Sequence, residues 1–206
     1  MNILSAICNL ISFTLVFISI SAFYTAAGGK GNMQVKKKKC FEYFTVDSNL
    51  LAALAALVML VFNVIGFFTG AAIPAWVMQL KFVASVAVGL TFFVVMLMLA
   101  PYAGYRPMLE GCNLFLHLMV PVIMMLSFIL FDGGGRLPYW SLALALIPTA
   151  VYGAVYYRQV VIVGEEKGGW NDFYGFNKGG KWPIAFTGMI IGTFLICLGI
   201  MALQNL

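Results

Sequence analysis

Six runs of about twenty apolar residues, separated by short segments rich in glycine, proline and charge, constrain this chain more than any other feature. They cover roughly 3–26, 46–69, 76–99, 113–131, 139–157 and 183–203. Twenty residues at about 1.5 Å each are enough to cross the hydrocarbon core of a bilayer. Backbone at that depth has no water to bond, so such runs must be helical. Only 9% of the 206 residues are charged, whereas a soluble domain needs about 25% to cover its surface. The expectation is an all-α polytopic membrane protein, a single domain over 1–206 with six transmembrane helices in one bundle.

The breaks between runs carry turn chemistry. Gly28, Gly29, Gly31 and Lys36 to Lys39 separate the first two, and Pro74 precedes the third. Pro101, Gly104 and Pro107 end the third, Asp132 to Arg136 with Pro138 divide the fourth from the fifth, and a polar loop over 164–181 precedes the sixth. The first run reads as a retained helix rather than a signal peptide, because its basic cluster follows it instead of preceding it.

Basic residues fall unevenly across these breaks. Ten of the twelve Lys and Arg lie in 27–45, 100–112 and 158–182, leaving Lys81 and Arg136 for the opposite side. The bias puts those three loops in the cytoplasm and both termini outside. The net charge of +5 therefore reads as a match to anionic lipid headgroups, not to nucleic acid. Ten aromatic residues near the span ends, among them Tyr43, Trp76, Tyr102, Tyr156, Trp170 and Trp182, read as an interfacial anchoring belt. Four cysteines without a CxxC pair, and a single histidine, argue against a metal site. No cofactor motif is present.

Polar groups inside the runs are costly and so informative. Asn63, Gln79 and Thr91 each suit one interhelical hydrogen bond. Two places are richer. At the entry to the second run, Thr45, Ser48 and Asn49 share a helix face by their i, i+3 and i+4 spacing. Thr45 there is either a helix cap or a reactive hydroxyl. At the entry to the fourth, His117 sits roughly 7 Å deep, one turn after Asn113 and one turn before Pro121. The ring is either bonded to a carbonyl that Pro121 leaves free or available as a base. Both runs enter from the basic side, so Thr45 and His117 occupy one leaflet. Glu110 or Asp47 is placed to orient the ring, whereas Asp132 lies at the far end of its run.

Tyr43-Phe44-Thr45 with Ser48-Asn49-Leu50, His117 with Pro121, and the loop Trp170 to Gly175 together resemble prokaryotic six-span proteins related to the androgen-induced membrane hydrolases. The eukaryotic relatives are threonine hydrolases that cleave fatty acid esters of hydroxy fatty acids. The resemblance implies that Thr45 is the nucleophile and His117 the base. Ser48-Asn49 belongs to the prokaryotic branch, and the His-to-Pro spacing is tighter than in the hydrolases.

The leading expectation is an intramembrane lipid ester hydrolase with a lipid ester as partner. Thr45 and His117 would be catalytic, and Ser48, Asn49 and Asn113 would contact substrate. Ser48 or Asn49 would donate to an oxyanion. The competing expectations are a non-catalytic lipid or small-molecule binder or a transporter, and a structural factor without a site. Coupled transport is disfavoured on this reading because no charged residue is assigned to mid-membrane depth.

Overall fold

The computed structural model describes residues 2–25, 37–132 and 137–204. Among the described residues, six helices are long and apolar enough to cross a membrane: α1 Ile3–Thr25, α2 Phe44–Thr69, α3 Ala75–Ala103, α4 Cys112–Asp132, α5 Ser141–Val163 and α6 Trp182–Gln204. The chain is thus an all-α bundle of multi-pass membrane character. Arg136 and the basic residues Lys30 and Lys36 lie outside the described residues.

Helix α3 is the hub and packs against α2, α4, α5 and α6, while α1 packs against α2 and α4. Its small residues Ala84, Ser85, Ala87 and Gly89 are buried there, which lets neighbouring backbones approach closely. Helix α1 turns a periodic stripe of Ser5, Asn9, Ser12, Val16, Ser19 and Phe23 inward and leaves Ile3, Leu4 and Phe17 outside. Lipid solvates the large apolar side chains, so the small polar ones take the packed face. Helix α2 ends at Gly70, whose φ of 72° is the left-handed conformation and whose N–H closes on the Gly66 carbonyl at 3.0 Å.

Two prolines sit inside spans just after wide, π-helical turns. Val95–Leu99 precedes Pro101 and Phe115–Met119 precedes Pro121. In that register the carbonyls lacking a helical donor belong to Met96 and Leu116. Each finds a side chain instead: Tyr105 Oη donates to Met96 O at 3.3 Å, and Asn49 Nδ2 to Leu116 O at 3.1 Å. Helix α3 therefore runs past Pro101 to Ala103, beyond the end expected from its prolines.

The aromatic belt divides in two. Tyr102, Tyr139, Trp140 and Trp76 are exposed, as anchors should be. Tyr156 and Trp182 are buried, and with Trp170, Phe173, Tyr174 and Phe176 they form an aromatic cap between α5, the loop and α6. Asp172 ties this loop down, accepting from Tyr156 Oη at 2.8 Å and from the Asn177 N–H at 3.0 Å.

Lys81 departs from its expected place. It is not in a loop at the sparse end but inside α3, fully buried and 3.5 Å from Asp132 Oδ2. The bundle therefore does hold an ion pair, near one end of its spans rather than at mid-membrane depth.

Candidate functional site

Thr45 occupies the first turn of α2 without capping it. The cap position belongs to Tyr43, in extended conformation and with no side-chain bond. The helix start is instead held from the loop, where Phe44 N–H donates to Tyr174 Oη at 3.1 Å. This contact links residues 130 positions apart and pins the aromatic cap onto the entry of α2. The ring of Tyr43 packs on Phe173 at 4.2 Å and that of Phe44 on Tyr152 at 5.1 Å.

The Thr45 side chain is 5% exposed and lines a cavity of about 30 Å³, room for roughly one water molecule. Thr91, Thr149, Tyr152 and Tyr174 also line it, but the wall is mostly apolar and holds no charged residue. The Tyr174 hydroxyl adjoins those of Thr45 and Tyr152, and burial pushes its phenol well above the ordinary tyrosine range. Tyr152 gives its own proton to the Glu42 carbonyl at 2.8 Å.

A groove of about 890 Å³ runs beside this cavity over α3, between α4 and α6. Gly188, Gly192 and Gly199 of α6 line it, and a Cβ at Gly188 or Gly199 would meet nothing within 4 Å. Leu90, Val94, Phe176 and Met189 belong to the walls of both spaces. The groove is apolar, and its size falls in the range of ligand sites.

The other expected residues take defined but different positions. Ser48 Oγ and Thr91 Oγ1 are 2.8 Å apart, joining α2 to α3, and Ser48 also bonds the Thr45 carbonyl at 3.2 Å. Asn49 donates to the Thr45 carbonyl at 2.7 Å and to Leu116 O at 3.1 Å, which engages its amide protons and leaves its Oδ1 without a donor. Ser48, Asn49 and Thr45 are thus one group, with Asn49 in a bracing position rather than aimed at the cavity. His117 follows Leu116 and is buried, with Nδ1 bonded to the Met108 carbonyl at 2.7 Å. A carbonyl only accepts, so in the neutral ring Nδ1 carries the proton and Nε2 keeps its lone pair. The carbonyl at residue 108 orients the ring, not Asn113, Glu110 or Asp47. Asn113 donates to Pro107 O at 3.1 Å, and exposed Arg106 lies 3.8 Å from Glu110. No hydrogen bond joins the Thr45 hydroxyl to the His117 ring. Asn63 and Thr91 make the interhelical bonds expected of them, while Gln79 Oε1 has no partner.

Tyr174, Tyr152 and Thr149 are the cavity residues that reading the spans did not single out. The Trp170 to Gly175 segment carried a signal as a polar aromatic loop, but nothing local says that its tyrosine reaches α2. Comparison with protein-family models, curated proteins and solved structures finds no match for this chain. The hydrolase resemblance accordingly rests on the quoted residues alone.

Proposed function

We propose that the protein takes a membrane lipid or similar amphiphile from the bilayer, with the chain in the α3–α4–α6 groove and the polar end at Thr45. One observation carries this: the cavity beside Thr45 and the groove share Leu90, Val94, Phe176 and Met189 as walls. An apolar chain in the groove could extend its terminal polar atom past these shared walls to Thr45. The absence of charge in the small cavity favours an uncharged terminus over a phosphate. In this reading the basic loops face the cytoplasm and the amphiphile enters from that leaflet. A C-terminal reporter active only outside the cytoplasm agrees with this orientation, and one active only inside reverses it.

The test is mass spectrometry of lipids that co-purify in mild detergent, for the wild type, Gly188→Phe and Gly192→Phe. Filling the groove is expected to remove most of the bound lipid while the protein stays monodisperse. Lipid content unchanged in both variants sinks the proposal.

The second reading is hydrolysis of a lipid ester, favoured by the tautomer that the Met108 carbonyl imposes on His117. His117 Nε2 would take the Thr45 proton as Oγ attacks the ester carbonyl. The alcohol would leave with that proton, and water would then release the acid. Substrate binding must bring ring and hydroxyl together, as catalytic contacts often tighten only in the complex. Labelling by a fluorophosphonate probe that is lost in both Thr45→Ala and His117→Ala supports this chemistry. Labelling that persists in both removes it and leaves the binding reading intact.

A further inference from the structure

The cavity beside Thr45 has room for about one water molecule, too little for the polar end of a lipid. Binding there requires a wall to give way, and the wall shared with the groove is made by Leu90, Val94, Phe176 and Met189. Leu90 and Val94 belong to α3, which packs against four other helices. Met189 lies within α6, and its carbonyl accepts from Thr193 Oγ1 at 2.8 Å. Phe176 alone of the four stands outside the spanning helices, in the segment that joins α5 to α6. Its ring is buried, 4.9 Å from that of Tyr174 and 5.8 Å from that of Tyr156.

The backbone around Phe176 is not knitted into the bundle. Among the described residues, the backbone-to-backbone hydrogen bonds of 170–180 close within the segment: Phe173 on Asn171, Gly175 on Asp172, Lys178 on Gly175 and Gly180 on Asn177. The segment reaches the helices through side chains. Asp172 accepts from Tyr156 Oη at 2.8 Å, and the Tyr174 N–H donates to that same hydroxyl at 3.4 Å. Tyr174 Oη accepts from the Phe44 N–H of α2 at 3.1 Å. Such a unit is displaced by breaking a few side-chain bonds, with no helix unravelled, and this puts it at the low-stability end of the structure. Left-handed glycines flank Phe176 at Gly175 and Gly179, both with φ of 68°, where a Cβ would meet nothing within 4 Å. The backbone can turn at these points with no side chain to clear.

We propose that Phe176 is the gate of the lipid site. At rest its ring closes the passage between the groove and Thr45, and 170–180 moves outward as a unit to admit the polar end of the amphiphile. Asp172 is the latch, because it joins the segment to α5 through Tyr156 and stiffens it through the Asn177 N–H. The gate presupposes the lipid-binding reading above and adds the residues that control access to it.

The experiment follows the modification of position 45 by N-dodecylmaleimide, an alkyl chain with a thiol-reactive head, in the purified full-length Thr45→Cys chain. Peptide mass spectrometry gives the rate at that position. The head is larger than the closed cavity, so the rate follows the open fraction. Adding Phe176→Ala is expected to raise it about tenfold or more, and Asp172→Ala, which loosens the segment but keeps the ring, about threefold or more. Met189→Ala is expected to change it less than about twofold. If Phe176→Ala does not fold, Phe176→Leu and Asp172→Ala decide. Rates within about twofold of the parent in the Phe176 and Asp172 variants overturn the gate. So does an absence of labelling in every variant, or an acceleration by Met189→Ala equal to that by Phe176→Ala. Gly188→Phe, added to Phe176→Ala, separates gate from groove. Acceleration lost on adding it supports both. Acceleration that survives it supports the gate and removes the groove as the route. If Gly188→Phe strips the co-purified lipid but Phe176→Ala gives no acceleration, the groove stands and the gate is wrong.

Discussion

At the Thr45 end the buried polar groups are hydroxyls, the Asn49 and Asn113 amides and the neutral His117 ring, near a small cavity without a charge and beside an apolar groove. At the Lys81 end they are an ion pair with amides and hydroxyls, wrapped by four helices. Hydroxyls can donate or accept and rotate to suit, so the first end tolerates an exchange of partners at little cost. A buried ion pair fixes its neighbours, because each charge needs the other. Adaptability belongs to the end with the groove, and registration of the helices to the end with the charges.

The largest effect should come from halving the charged pair. Lys81→Ala or Asp132→Ala is expected to cost about 3–5 kcal/mol, and Lys81→Met with Asp132→Leu together much less. Thermal unfolding of the three variants checks this. Single costs below about 1 kcal/mol would erase the contrast between the two ends. Asn49→Ala should come next, at about 1–3 kcal/mol, because it strips the donor from the buried Leu116 carbonyl. Adding Pro121→Ala returns a backbone N–H near that carbonyl and should recover part of the loss in a double-mutant cycle.

Tyr174 gives a smaller, pH-dependent signal. Its folded phenol is held above the ordinary value of 10.0, so below that pH its contribution is fully present. As pH rises further, the unfolded chain loses this proton first and stability falls, by up to about 1.4 kcal/mol per pH unit. Tyr174→Phe should flatten that alkaline slope while costing about 1 kcal/mol at neutral pH. An unchanged slope in the variant would remove Tyr174 from the buried wall. Glu110→Gln should be the smallest change, within about 0.5 kcal/mol, and should leave any Thr45 or His117 phenotype untouched. A larger effect would reopen Glu110 as a partner of the ring.

The spans were legible because lipid imposes length and apolarity on every run. The expected 46–69 and 183–203 differ from α2 and α6 by no more than two residues at either end, whereas α5 runs on from the expected 157 to Val163. The extension of α3 past Pro101 was not legible, because a wide helical turn is a backbone adjustment that leaves no mark in composition. Counting Lys81 with the outer loops applied a rule about loops to a residue that is not in one. Its partner Asp132 is in a different helix, and no periodicity links the two. At the site, the grouping of Thr45, Ser48 and Asn49 followed from helix spacing alone. The arrival of Tyr174 depended on how a loop folds back, and spacing within spans carries nothing about that.

The position of Lys81 also sets a condition on biogenesis. On its own, α3 would enter lipid with an uncompensated ammonium, at a cost below the roughly 2.5–3.5 kcal/mol that insertion scales give at a helix centre. The carboxylate that neutralises it is the last residue of α4 and emerges from the ribosome later. The first three helices thus have reason to linger at the insertion machinery until residue 132 has been made, and then to leave it together with the fourth.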